Sequence, residues 1–377
     1  MSSRNFFFSI WFVYCSALLY PDIERYTLFN EIFALLGLLL SLDFFYKKYR
    51  ALTKIELVYF ISILYGLILC ISSFQEIINT GAYLSLRTMP IFYNVFSFMV
   101  GYSVYQYYLR FNPITTNSKW MRLNLFVSLI TPWRISPQVF AMFYLKTFKG
   151  VFIYLLLFLL INGGSTSITA FIFVGLLYIY KNTHVLKILW SRKFLYICIA
   201  SFLFLLSLSG GVYQKFIDVG YEDIFGFDVN ITWRYMFWVY LYQDVISQNF
   251  LTGIGFGTPL FNLDFAPDFL TSDDGSRNTE YTLGTHNSII FLISRMGLIG
   301  VLLITWLHVL IYSKAFKVIN KKLRTFSELE MLLLANLMFL NSAFFNVVLE
   351  SPLYGGLYWV SLGLLYGSIK YNEDELN

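Results

Sequence analysis

Long runs of apolar residues, separated by short polar connections, recur along almost the whole chain. A helix needs about 20 apolar residues to cross a bilayer. Candidate spans lie near residues 6–20, 28–46, 56–73, 89–109, 120–133, 135–148, 150–162, 165–180, 194–209, 286–312, 329–349 and 353–370. Because 58% of the residues are hydrophobic and only 13% are charged, the chain is far more apolar than a soluble domain. We therefore predict an all-α fold, a polytopic helical membrane protein with about twelve transmembrane helices and one large outer loop.

The connections between the spans predict the orientation of the chain. Lysine and arginine are concentrated in alternate connections, and loops of this kind face the cytoplasm. The basic residues concerned are Lys47, Lys48, Arg50 and Lys54, then Arg110, Lys119 and Arg122, then Lys181, Lys187, Arg192 and Lys193, and then Lys314, Lys317, Lys321, Lys322 and Arg324. Both termini are then inside. The chain divides into N-terminal spans (1–209), a large outer loop (210–285) and C-terminal spans with a short tail (286–377).

The stretch 120–162 has the least regular pattern. Its spans are short and are interrupted by Pro132, Pro137 and Gly150, as is typical of discontinuous or re-entrant helices. Merging two of them would change the number of crossings, so the topology of this stretch stays open.

Charge and cysteine content exclude two other classes of site. The net charge of +5 comes from short basic clusters between apolar runs, which act as topology determinants, so no nucleic-acid partner is expected. Cys15, Cys70 and Cys198 all fall inside apolar runs. They have neither the spacing of metal ligands nor that of a disulfide framework, and we expect no metal site.

The outer loop begins with an aromatic segment at residues 231–248. Aromatic side chains are frequent there, charges are few, and Asn230 or Thr232 is available as a helix N-cap. We predict a helix that lies at the membrane interface with its aromatic side chains at headgroup level. The later stretch 264–280 is acidic and turn-rich, which predicts a solvated flap.

Gly253, Gly255 and Gly257 follow the aromatic segment at alternate positions. No strand precedes them and no βαβ pattern surrounds them, so this is not a dinucleotide-binding loop. Two interpretations remain open. The glycines either expose backbone amides to an anionic headgroup or form a plain structural turn.

His286 stands at the outer start of a predicted span and is followed by Asn287. An imidazole at this position is a near-neutral base on the outer face, whereas His184 and His308 lie at or near the cytoplasmic side. The alternative is an interfacial polar residue with no chemical role.

Three arginines and one acid in outer or intramembrane positions are further candidates. A guanidinium group at Arg234 or Arg134 suits either a lipid phosphate or a pyrophosphate, because its planar donors hold non-bridging oxygens. Arg295 lies about 900° of helix rotation after His286, so we expect it on the opposite face, paired with a carboxylate. Glu350, near the last outer turn, is a functional candidate by its position. It pairs with Arg295, orients His286 or faces water.

Three motifs carry a resemblance to a known family. They are Trp233-Arg234-(x)3-Trp238, then Asn249-Phe250-Leu251-Thr252-Gly253-Ile254-Gly255-Phe256-Gly257, and then His286-Asn287-(x)9-Gly297-Leu298-Ile299-Gly300. They resemble the shared region of the O-antigen polymerase and O-antigen ligase superfamily. The match covers roughly residues 163–359, and it is specific for the superfamily rather than for one member.

The resemblance implies an inverting, metal-independent glycosyltransferase of the bacterial inner membrane that needs no cofactor. Its donor would be an undecaprenyl-pyrophosphate-linked oligosaccharide used on the periplasmic side, which makes the outer loop periplasmic. His286 would match the proposed base and Arg234 the pyrophosphate-binding arginine. Asn287 and Glu350 are our further candidates for substrate binding. Membrane lipid and a chain-length regulator protein are the other expected partners.

One departure from the family pattern bears on the choice within the superfamily. Ligases often carry Ser-Arg-Gly at the outer start of a span, where this chain has Gly163-Gly164-Ser165-Thr166-Ser167. Ser165 then takes the substrate-binding position without the second arginine, and Arg134 is the candidate to replace it. We therefore expect an O-antigen polymerase. Ligation of O-antigen to lipid A-core is the first alternative, and a lipid-linked oligosaccharide flippase or transporter is the second.

Overall fold

The computed structural model of the chain describes residues 28–80, 88–109, 237–260, 285, 287–321, 328–344 and 348–376, with isolated helical positions at 150, 153, 156, 157 and 160. These residues are mostly helical and contain no strand, which confirms the all-α prediction for this part of the chain. The predicted spans at 6–20, 120–133, 135–148, 165–180 and 194–209 lie outside the described residues.

The predicted span at 150–162 has only isolated helical positions described, and helices lie at the remaining predicted spans. They are α1 (Leu28–Lys48), α2 (Lys54–Thr80), α3 (Pro90–Tyr93), α4 (Ser97–Val104), α5 (Ser288–Lys321), α6 (Glu328–Ala343) and α7 (Pro352–Leu376). A 3-10 turn, Asn94–Phe96, joins α3 to α4, and a π-helical turn, Tyr105–Leu109, follows α4. The sequence predicts one uniform span at 89–109, whereas the structure divides it into α3, the 3-10 turn, α4 and the π-helical turn. α2 and α5 extend beyond their predicted ends at 73 and 312.

Two of these helices have the length and composition of a membrane span. They are the stretches Lys54–Asn79 in α2 and Ser288–Ile319 in α5. Along α2, large apolar side chains are exposed at intervals of three or four residues over much of its length, at Leu57, Ile61, Leu64, Ile68, Ile71 and Ile78. This spacing places them on one face of the helix, which is the arrangement expected of a face turned to lipid.

The described residues belong to two compact units. Unit 1 contains residues 28–64, 90–109, 303–321, 328–344 and 348–376, and unit 2 contains residues 65–80, 88–89, 237–260, 285 and 287–302. In unit 1, α7 packs against α4 and α6, and α1 also packs against α4. Unit 2 contains all the described residues of the three motifs, at 237–238, 249–257 and 287–300.

One end of unit 1 is held together by polar contacts around Glu56. Thr53 and Glu56 form a capping box at the start of α2, in which the Thr53 amide donates to Glu56 Oε2 (2.8 Å) and the Glu56 amide donates to Thr53 Oγ1 (3.4 Å). The other carboxylate oxygen of Glu56 accepts from Tyr366 (3.1 Å) and from Lys370 of α7. The start of α2 is thereby fixed to the last turns of α7.

The opposite end of unit 1 has its own polar contacts. The Tyr93 hydroxyl donates to Glu31 (3.4 Å), and the Asn94 amide donates to the carbonyls of Leu349 (3.3 Å) and Ser351 (2.9 Å).

At the Glu56 end, an ion pair between Lys314 and Glu373 (3.2 Å) adds the later part of α5. The basic segments that follow α1 and that begin at Lys314 therefore share one end of unit 1.

Candidate functional site

Four of the six predicted site residues lie outside the described residues: His286, Arg234, Arg134 and Ser165. Asn287 belongs to unit 2 and Glu350 to unit 1. Within unit 2, Trp238, the glycine-rich loop and the start of α5 are bonded to one another. We call this arrangement the frame, and the candidate site is described from its geometry.

The central feature of the frame is a break in α5 at Gly297. Its backbone torsions, φ 62° and ψ −171°, are not helical and belong to a region that is essentially restricted to glycine. Because the helix is interrupted, the amides of Leu298 and Ile299 turn outward. They donate to the carbonyls of Phe250 (2.8 Å) and Leu251 (3.1 Å) in the glycine-rich loop.

The glycine-rich loop also donates backbone hydrogen bonds to the first half of α5. The amides of Ile254 and Gly255 donate to the carbonyls of Ser294 (2.9 Å) and Arg295 (3.0 Å). In an unbroken helix, the amides four residues further on would occupy these two carbonyls. The loop and the broken helix thus exchange two hydrogen bonds in each direction, so the break leaves none of these four helix groups unpaired.

Two polar residues of α2 add hydrogen bonds where the glycine-rich loop meets the broken helix α5. We call this meeting of loop and helix the joint. The Tyr65 hydroxyl lies 2.8 Å from the Met296 carbonyl and 3.3 Å from the Thr252 carbonyl, and Ser73 Oγ accepts from the Phe256 amide (2.7 Å). Sequence reasoning missed both residues, because their partners lie far along the chain. The only local signal is a hydroxyl group in an otherwise apolar helix.

The glycine-rich loop is a structural turn. Gly253 has φ 71°, and a β-carbon there would lie 2.5 Å from the Arg295 carbonyl group and 2.6 Å from the Gly297 nitrogen. The Gly253 amide donates to the Asn249 carbonyl (2.8 Å), and the amides of 254–256 also have protein acceptors. Of the two interpretations left open by the sequence, the structure therefore favours the turn over an exposed anion-binding loop.

Arg295 is fully buried beside the break. Its Nη1 donates to the carbonyls of Gly255 (3.1 Å) and Thr258 (2.5 Å), and its guanidinium lies 5.6 Å from the centre of the Phe291 ring. The sequence predicts a carboxylate partner, whereas these two acceptors are backbone carbonyls. Carbonyl groups left outside regular structure need donors when they are buried, and a guanidinium group supplies several at once.

The aromatic segment differs from its prediction over the residues that are described. Residues 237–240 are helical and continue into a π-helix, Leu241–Ile246. The side chains of Phe237, Val239, Tyr240 and Leu241 are buried in the protein, rather than exposed along a surface helix. Aromatic residues suit a headgroup layer and a protein core equally well, so their frequency alone did not distinguish the two. Residues 231–236 lie outside the described part.

A direct bond joins the aromatic segment to the start of α5. The indole Nε1–H of Trp238 donates to the Thr285 carbonyl (2.6 Å). Thr285 is fully buried, and its hydroxyl lies 2.6 Å from the Asn287 carbonyl and 3.3 Å from the Asn287 amide. The two residues that flank His286 in sequence are therefore each held by several contacts.

Asn287 is the N-cap of α5. Its Oδ1 accepts from the amides of Ile289 (3.0 Å) and Ile290 (3.1 Å), two groups that have no acceptor within the helix. The side-chain oxygen of Asn287 therefore has a structural task. The predicted role of Asn287 in binding substrate stays a prediction.

Glu350 lies in the short connection before α7, at the Asn94 end of unit 1. Its side chain is only 6% exposed, so the interpretation that it faces water is wrong. Buried acids in membrane proteins are costly and tend to be functional. Its role in binding substrate also stays a prediction.

His308, the described histidine, has a structural environment. Its Nδ1 lies 2.6 Å from the Ile304 carbonyl, and its Nε2 is hydrogen-bonded to the Tyr358 hydroxyl. Its ring stacks on that of Tyr358 inside unit 1. Both ring nitrogens are occupied and the side chain is buried, so His308 is a core residue, in keeping with its exclusion as a base.

Within the described residues, no group of three or more His, Cys, Asp or Glu side chains is placed to hold a metal ion. No protein-family model matches the chain, and a search of curated proteins found no match either.

Proposed function

We propose that this chain is an O-antigen polymerase, or a polymerase of a related surface polysaccharide, in the bacterial inner membrane. It joins undecaprenyl-pyrophosphate-linked repeat units at the periplasmic face. The proposal includes the full architecture of about twelve membrane spans and one large periplasmic loop.

The observation that carries the proposal is the tract 233–300. Its three motifs resemble one superfamily, and their described parts meet in one frame of unit 2, through the bonds between 250–255 and 294–299 and through Trp238 and Thr285. The frame also holds both neighbours of His286 and begins four residues after Arg234 in sequence.

Three further observations support a membrane location. Helices α2 and α5 each contain a stretch long and apolar enough to cross a bilayer. Large apolar side chains are exposed along α1 and α2, where contact with water would be unfavourable over so long a surface. The broken backbone at Gly297 is paired with protein groups, as irregular backbone inside a membrane has to be.

The proposed reaction is an inverting glycosyl transfer. A hydroxyl group of the acceptor sugar attacks the anomeric carbon of the donor, and the bond from that carbon to the pyrophosphate oxygen breaks. His286 accepts the hydroxyl proton, because an alcohol is a poor nucleophile until it loses its proton. Arg234, with Arg134, neutralises the charge on the departing undecaprenyl pyrophosphate.

The alternatives differ in what they do with the same lipid-linked glycan. A ligase transfers finished polymer to lipid A-core, and the Gly163–Ser167 segment, which lacks the ligase arginine, argues against it. A flippase moves single repeat units across the membrane. It is disfavoured because its class tends to show internal repeats and charged residues at the membrane midplane rather than one large outer loop.

Deleting the gene in the native bacterium distinguishes these functions by the lipopolysaccharide or capsule ladder. A polymerase deletion gives core carrying a single repeat unit. Bare core with polymer retained on the lipid carrier identifies a ligase, and bare core with single repeats on the carrier identifies a flippase. A ladder of normal length and intensity contradicts all three.

The orientation is tested by cysteine labelling in intact cells, in a background where Cys15, Cys70 and Cys198 are serine. We expect Asp273→Cys, in the periplasmic loop, to react with an impermeant thiol reagent. Arg50→Cys, in the exposed basic connection after α1, should react only after the cells are lysed. The reverse pattern would overturn the topology and with it the periplasmic site.

A further inference from the structure

The bond between Trp238 and Thr285 has a specific position relative to the proposed chemistry. Trp238 lies four residues after Arg234, the proposed pyrophosphate clamp, and Thr285 immediately precedes His286, the proposed base. Its length of 2.6 Å marks a close hydrogen bond. A single side chain therefore holds the peptide that immediately precedes His286 in sequence.

The local backbone explains why Thr285 needs this donor. Thr285 lies two residues before the N-cap Asn287, so its carbonyl precedes the hydrogen-bond ladder of α5 and has no helical amide as a regular partner. The amide of Ile289 donates to Asn287 Oδ1 (3.0 Å), which leaves the Thr285 carbonyl to the indole of Trp238. A buried carbonyl requires a donor, so the bond is a built feature of the fold.

The segment that contains Trp238 is itself fixed within unit 2. Phe237 and Leu241, on either side of Trp238, are buried. The segment leads into the loop 249–258, which is bonded to the broken helix α5 on both sides of Gly297. Trp238 therefore lies in a segment that is itself packed and hydrogen-bonded within unit 2. Its bond holds the Thr285 peptide against that segment.

We propose that Trp238 is a positioning residue, which holds the peptide that carries the base, at Thr285 and Asn287, by donating its indole N–H to the Thr285 carbonyl. This inference rests on the proposed function. In a transfer between two large lipid-linked substrates, the base and the leaving-group clamp act on opposite sides of one carbon atom. A small displacement of the base relative to that carbon atom then slows the reaction strongly.

The test uses the purified full-length protein with undecaprenyl-pyrophosphate-linked repeat units. Trp238→Phe keeps an aromatic ring and removes the donor. Benzothienylalanine at position 238 keeps the indole shape and replaces the N–H with sulfur. We expect both variants to lower kcat by about 10- to 100-fold, with the donor KM and the melting temperature close to those of the original protein. Trp306→Phe, at an exposed tryptophan of α5, is the matched control and should keep the original rate.

A double-mutant cycle separates positioning from general structural support. If Trp238 acts through His286, Trp238→Phe adds less than a twofold loss in a His286→Ala background. The same loss in both backgrounds, or an unchanged kcat for benzothienylalanine at 238, would overturn the inference while leaving the proposed function intact. Full activity of His286→Ala would overturn both the inference and the role of His286 on which it rests.

Discussion

Replacing His286 with alanine is expected to lower the rate of glycosyl transfer by about 10²- to 10⁴-fold, the usual loss when a general base is removed. The loss should appear in kcat, because the base acts on the acceptor hydroxyl only as the new bond forms. Protein level and binding of the lipid-linked donor should stay close to the original values. The measurement is the initial rate of polymer formation by purified protein, with donor binding measured separately.

Arg234 provides the contrasting variant. An anion clamp holds the pyrophosphate before and during the reaction, so Arg234→Ala should weaken donor binding as well as turnover. Arg234→Lys keeps the charge but loses the planar fork of donors, and we expect it to restore only part of the activity. His184→Ala, at a histidine predicted to lie near the cytoplasmic side, is the control and should keep the full rate.

If His286 is only an interfacial polar residue, glutamine or asparagine will replace it with little loss. Polymer of full length from His286→Ala, at normal expression, would therefore exclude the proposed mechanism. The resemblance to the superfamily would stand, because it depends on the whole tract 233–300 rather than on one side chain.

The helices of the described residues were predictable because an apolar run long enough for a span has few other structures available to it. α1 and α7 lie within a few residues of the spans predicted at 28–46 and 353–370. Thr53 and Glu56 show that one helix start was also encoded locally, since a threonine followed three positions later by a glutamate is the pattern of a capping box.

The sequence does not predict the break in α5, although Gly297 and Gly300 belong to one of its three motifs. A single glycine inside an apolar run has little effect on hydropathy and is tolerated in many helices. What makes the break possible lies elsewhere, in the carbonyls of Phe250 and Leu251, which accept the released amides. Such pairing between segments about fifty residues apart has no local signature.

The aromatic segment illustrates the limit of composition for the candidate site. Its tyrosines and tryptophans predicted a surface position at the membrane, yet Tyr240 is buried and Trp238 donates to Thr285. Hydropathy measures how unfavourable water is for a side chain. It does not say whether lipid or protein will replace the water, so the bond between Trp238 and Thr285 was visible only in three dimensions.

The second large effect is expected from Gly297→Ala. A β-carbon at this position would lie 2.3 Å from the Leu251 carbonyl oxygen, and φ is 62°, a backbone conformation that costs an L-residue of order 1–3 kcal/mol. Relieving the clash requires the loop to move away from α5. The four reciprocal backbone bonds would then be weakened, and each contributes about 1 kcal/mol.

If all four bonds were lost, the sum would reach roughly 5–7 kcal/mol, which is comparable with the whole stability of many proteins. We therefore expect Gly297→Ala to accumulate poorly and its melting temperature in detergent to fall by roughly 10 °C. Tyr65→Phe removes only the hydroxyl that caps the Met296 carbonyl, so a loss of about 1 kcal/mol is expected. Leu302→Ala, at an exposed position of the same helix, is the control and should be nearly neutral. Normal yield and melting temperature for Gly297→Ala would show that the loop and α5 do not depend on this break. We expect the loss of stability to decrease in the order Gly297→Ala, Tyr65→Phe, Leu302→Ala. This order would show that the joint stabilises the contact between the glycine-rich loop and α5.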